Sequence, residues 1–199
     1  MSAWLQSLYL ARVSILSFLE WLDSHAWSTA LHESLYMYPL VESTHVVTLG
    51  LFVGLTVTWD LRLLGWAFTN VPVSEFARRI LPWSRVGFFL MMTTGLLLFY
   101  AIPVRNYQNV FFRVKMIMLV LALLNIWYFH RRTERSISGW DTWATPPPAA
   151  RFSAAASIAL WFAIVVTGRM IAYNWFDCDI QPQSDFINWA AGCVVPPAQ

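Results

Sequence analysis

VGFFLMMTTGLLLFYAIPV, residues 86–104, runs from Arg85 to Arg105 without one charged side chain. A helix rises about 1.5 Å per residue and a bilayer's hydrocarbon layer is about 30 Å thick, so about 20 mostly apolar residues make a span. The stretch therefore reads as a transmembrane helix. Three further runs repeat the pattern. FSAAASIALWFAIVVTG lies between Arg151 and Arg169 and continues through MIAYNWF. VVTLGLFVGLTVTW stops at Asp60 and extends back past His45 and Glu42 to Tyr36. MIMLVLALLNIWYF lies between Lys115 and His130 and extends back through VFFRV. Four spans are expected, at 37–60, 82–103, 110–131 and 152–174.

Composition agrees. Of 199 residues, 58% are hydrophobic and 12% charged, where a soluble domain carries about 25% charged. With 14 Phe, 12 Trp and 7 Tyr the chain is not disordered. A net charge of +2 is too balanced for a nucleic-acid binder. The expected fold is all-α: an integral membrane bundle of four core helices in contact with the lipid bilayer, with one further N-terminal helix.

That first segment, AWLQSLYLARVSILSFLEWL, places Trp4, Leu8, Ile15, Leu19 and Leu22 on one helical face and Ser2, Gln6, Ser17 and Glu20 on another. The amphipathic pattern suits a helix lying in the interface, because a mid-membrane Arg12 is costly. A fifth span with Arg12 facing protein is the alternative. There is no small-residue cleavage site, so the segment does not read as a signal peptide. The whole chain, 1–199, reads as a single membrane domain, with an amphipathic segment over 1–35, a four-helix core over 36–174 and a tail over 175–199.

Orientation follows from basic residues in short loops. Loop 61–85 holds Arg62, Arg78, Arg79 and Arg85, and loop 131–151 holds Arg131, Arg132, Arg135 and Arg151, together 8 of the 13 basic residues. That side is expected to be cytoplasmic in a bacterial inner membrane, with the C-terminal tail periplasmic. Cys178 and Cys193, the only cysteines, both fall in that tail, where a disulfide is permitted. Two separate thiols are the alternative. Three consecutive prolines, Pro146–Pro148, stiffen the entry to the last span.

Ionisable residues inside a bilayer are the default functional candidates. An outer cluster comprises Glu42, His45, Arg113, Lys115 and Arg169; an inner one comprises Asp60, Arg62, Arg85 and His130. His45 is the one histidine well inside a span. A buried neutral imidazole can ligate haem iron, and cationic side chains can pair with the propionates. On that reading His45 is the metal ligand, Glu42 its orienting neighbour, and Arg113, Lys115 and Arg169 the propionate partners. A sixth ligand could come from Met91, Met92, Met118 or Lys115. The competing reading is a structural His45 bonded to Glu42 or to a neighbouring helix.

Other chemistries fall away. Glu42-x-x-His45 is half of a di-iron pattern, and its second half is missing. There is no GxGxxG, P-loop or CxxC. Asp60-Leu61-Arg62 is expected to form an ion pair closing a helix end.

The strings YPLVESTH (38–45), DLRLLG (60–65), MTTGLLLF (92–99) and GRMIAY (168–173) make the chain similar to a family of uncharacterised bacterial inner-membrane proteins. More distantly, His45 with Phe111-Phe112-x-x-Lys115 resembles small four-helix membrane proteins of the CopD and HemJ type. That second resemblance implies haem b. It also implies copper handling or porphyrinogen oxidation; the external loops lack the methionine or histidine clusters that copper transfer needs. Three functions are therefore carried forward. The first is a haem b electron carrier between a periplasmic redox protein and the quinone pool. The second is a non-catalytic accessory or anchor subunit of a larger membrane complex. The third is a porphyrinogen oxidase of the HemJ type.

Overall fold

The computed structural model describes residues 3–132 and 134–193, with side chains from 13 to 132 and from 137 to 193. The side chains up to Arg12, that of Arg135, and the Pro196–Pro197 pair lie outside the described residues. The elements are α1 (Ala3–Asp23), α2 (Ala26–His32), α3 (Met37–Leu64), α4 (Val73–Ala101), α5 (Pro103–Tyr107), α6 (Val110–Arg132), a 3-10 turn (Glu134–Gly139), α7 (Pro148–Ile171) and α8 (Asp185–Ala191). Among the described residues there is no strand, only an isolated antiparallel bridge between Asn109 and Asp177. The fold is all-α. Four helices, α3, α4, α6 and α7, are long and apolar enough to cross a membrane.

Each of the four overlaps an expected span, with shifted ends. α3 continues past Asp60 to Leu64 because Asp60, Arg62, Leu63 and Leu64 are all buried, and it stops at Gly65. Gly65 has φ +76°, and a Cβ there would lie 2.8 Å from the Ala144 carbonyl oxygen, so the left-handed cap requires glycine. α4 begins at Val73, not 82: its first turns carry Glu75, Arg78 and Arg79 around buried Val73 and Phe76, and Pro82 sits inside the helix. A search for uncharged runs passes over such a turn.

Backbone contacts divide the chain into two units, 1–43 with 94–114 and 168–199, and 44–93 with 115–167. In the first, the tail is tied down at several points. Val110 N–H donates to the Phe176 carbonyl at 3.0 Å. Cys178 and Cys193 form a disulfide, with Cα atoms 5.3 Å apart. Buried Ser28 of α2 donates its hydroxyl to the Tyr100 carbonyl at 2.8 Å.

In the second unit, two apolar clusters form the core. Leu63, Leu64, Val73, Phe129, Trp140, Ala150 and Ala154 make one. Phe52, Met91, Ala122, Trp161 and Ile164 make the other, with Phe52 and Trp161 edge to face at 4.8 Å. Gly87 permits a close approach there: a Cβ would stand 3.3 Å from that of Phe52. Several polar side chains within the helices are satisfied locally, as apolar surroundings favour. Thr48 and Thr56 donate to carbonyls one turn back. Asn125 and Ser153 exchange two hydrogen bonds, at 2.9 and 3.0 Å.

Candidate functional site

The structure places the expected outer residues in both units. Glu42, Arg113 and Arg169 belong to the first, His45 and Lys115 to the second. Glu42 and Arg169 are exposed, and the Arg169 guanidinium lies over the Tyr173 ring at 5.2 Å. Arg113 is built into the tail: its Nε donates to the Tyr107 carbonyl at 2.9 Å, and its guanidinium stacks on the Tyr107 ring at 4.4 Å. A Cβ on Gly192 (φ +74°) would collide with that guanidinium.

His45 and Lys115 are both half-buried in the second unit. His45 Nδ1 lies 3.1 Å from the Met91 carbonyl oxygen. A carbonyl only accepts, so Nδ1 carries the proton and Nε2 the lone pair. That tautomer suits a ligand nitrogen, since metal-binding imidazoles commonly anchor their other nitrogen on a carbonyl or carboxylate. Of the methionines named as candidate sixth ligands, Met91 is buried in the core and Met118 packs against it.

The inner residues form a more elaborate arrangement than the expected ion pair. Arg62 is fully buried and faces away from Asp60, donating from Nε to the Val71 carbonyl at 2.9 Å and from Nη2 to the Trp143 carbonyl at 3.3 Å. Residues two apart on a helix point about 200° away from each other, which is why Asp60 and Arg62 cannot pair. Arg62 instead joins the turn after α3 to the turn before α7. Asp141 completes this loop cluster by capping α4. It accepts from the Ser74 N–H and from the Ser74 hydroxyl, each at 2.7 Å. Those two bonds hold its carboxyl below the usual carboxylate range.

Asp60 faces the other way, into a cavity of about 160 Å³ within the second unit. Trp59 and Asp60 of α3, Ser84 of α4, Asn125 and His130 of α6, and Ser157 of α7 are among its lining residues. Asp60 is 3% exposed, and its Oδ2 has no hydrogen-bond partner. His130, assigned by sequence to the helix end opposite His45, is exposed at this cavity, and Arg85 is not part of it. The sequence reading missed the cavity. Its available signal was a carboxylate inside a span, with Ser153 and Ser157 one helical turn apart.

Among the described residues, no group of three or more His, Cys, Asp or Glu side chains is placed to hold a metal ion. The helices and these buried polar devices define a polytopic α-helical membrane protein. Residues 13–174 match the model of a family of unknown function, DUF6644, and the chain belongs to that family. No curated protein and no solved structure matches it.

Proposed function

We propose that this is a haem b-binding electron-transfer protein, in which His45 would hold the iron and Lys115 would be the candidate second donor. The observation that supports the reading is the 3.1 Å contact of His45 Nδ1 with the Met91 carbonyl, which sets a tautomer with the lone pair on Nε2. The donor set suits a b-type haem, in which the protein supplies axial nitrogens and no covalent attachment. When bound, the haem supplies one-electron transfer. The Met91 carbonyl orients the imidazole, and Lys115 would supply an amine. Glu42, Arg113 and Arg169 belong to the other unit.

The carrier is placed in the bacterial cytoplasmic membrane, exchanging electrons between a periplasmic redox protein and the quinone pool. The 8 basic residues of loops 61–85 and 131–151 support an orientation with those loops cytoplasmic and the Cys178–Cys193 tail periplasmic. The test is extraction of purified protein from haem-replete cells. Stoichiometric non-covalent haem supports the reading, and a haem-free preparation refutes it.

A further inference from the structure

The Asp60 cavity has three properties that together select a ligand. First, its volume of about 160 Å³ is near the roughly 150 Å³ in which an apolar cavity holds a single six-membered ring. Second, its wall is largely aromatic and aliphatic, with Phe52, Trp59, Phe129 and Trp161 contributing rings. Third, it contains one carboxyl oxygen without a hydrogen-bond partner, the Oδ2 of Asp60, on a side chain that is 3% exposed. A buried acceptor of this kind costs free energy until a donor reaches it. Neighbouring Asn125 and Ser153 bond each other, Asn125 Nδ2 to the Ser153 carbonyl and Ser153 Oγ to Asn125 Oδ1.

The cavity's exposed lining residues, Ile126 and His130, are both on α6, a helix long and apolar enough to cross a membrane. Leu123, Leu124 and Trp127 are exposed beside them. A ligand arriving across that surface is lipid-soluble. A free ammonium would lose its hydration on the way, whereas a neutral ring bearing hydroxyl groups would not pay for a buried charge.

We propose that this cavity binds the head group of a quinol, a single ring with hydroxyl donors, one of which bonds Asp60 Oδ2. The choice of a quinol over other ring-sized hydroxyl compounds rests on the electron-transfer reading above, because a lipid-soluble two-electron donor is the partner such a carrier needs. The binding itself depends only on the cavity.

The test uses the full-length protein in detergent, with a short-tailed benzoquinol kept reduced under anaerobic conditions and its dimethyl ether as the donorless control. Binding is measured by equilibrium dialysis on the parent, Asp60→Asn, Asp60→Leu and Ser157→Phe, each checked for a cooperative thermal transition. The parent should bind the quinol about two- to tenfold more tightly than the ether, the range that one hydrogen bond to a buried carboxyl oxygen spans. Asp60→Leu should erase the preference, Asp60→Asn should reduce it, and Ser157→Phe should abolish binding by filling the cavity. Equal binding of quinol and ether by the parent overturns the inference, as does a preference that survives in folded Asp60→Leu. Repeating the dialysis on His45→Ala separates the two readings. Asp60-dependent binding without haem supports the cavity assignment alone, and stoichiometric haem with no Asp60-dependent binding refutes it while leaving the haem reading in place.

Discussion

The imidazole of His45 on α3 and the backbone carbonyl of Met91 on α4 are joined by a 3.1 Å hydrogen bond. This bond sets the histidine tautomer using an acceptor that no side-chain substitution at position 91 removes. Met91→Leu, which conserves volume, should therefore keep the ring orientation and cost less than about 1.5 kcal/mol of stability. Lys115→Ala should alter the coordination of a bound haem, read as a shift from a six- to a five-coordinate spectrum. Exposed Arg169→Ala should leave the spectrum as it is.

Arg62→Ala should be among the most damaging single changes. It strands the carbonyls of Val71 and Trp143 and opens a buried space at the loop cluster. The expected loss is about 3 kcal/mol, because hydrogen bonds from a charged donor are worth about 1.5–3 kcal/mol and a packing defect adds to it. Arg62→Lys should recover little, since an ammonium cannot reproduce the guanidinium's planar fork. Denaturant titration in mixed micelles measures both.

Legibility followed the physics of each feature. The four spans were readable because a bilayer demands long uncharged runs, and 86–104 is unambiguous. The amphipathic start of α4 was not, because its charged face breaks the run that a span search needs. The Asp60–Arg62 expectation failed for a geometric reason: adjacency in sequence places the two side chains on opposite faces. The cavity depends on where α7 sets Ser157 against α3, which no local pattern encodes. His45 was legible as a candidate, but its anchoring on Met91 was not, since a backbone acceptor leaves no mark in sequence.

Asp141 caps α4 from a distant loop, and its carboxyl titrates below the ordinary value because the Ser74 N–H and hydroxyl bond the charged form. A carboxylate with a lowered folded pKa stabilises the fold above its unfolded pKa of about 4, and that contribution disappears as pH falls below this value. Asp141→Asn should lower stability at neutral pH by about 1 kcal/mol, the usual cost of a lost helix cap. The difference between parent and variant should shrink on acidification below about pH 4. Thermal melts across pH 3 to 7 (an assay range set at about the carboxylate titration) read the effect.

The Cys178–Cys193 disulfide closes a segment with a sequence separation of 15. On the chain-entropy account such a loop is worth about 3 kcal/mol. Reduction should leave the four long helices folded and loosen the tail, including the Gly192 backbone against which Arg113 packs. Limited proteolysis followed by mass spectrometry should show new cuts within 179–192 only after reduction. Cuts appearing equally in the oxidised protein would argue against a structural role for the bridge.

The most direct measurement of the central claim is the reduced-minus-oxidised absorption spectrum of the purified protein beside those of His45→Ala and His130→Ala. The account predicts b-type Soret and α bands in the parent, their loss or a change to five-coordinate haem in His45→Ala, and an unchanged spectrum in His130→Ala, which lines the other site. A parent without haem bands, or bands that survive His45→Ala and vanish with His130→Ala, would contradict it.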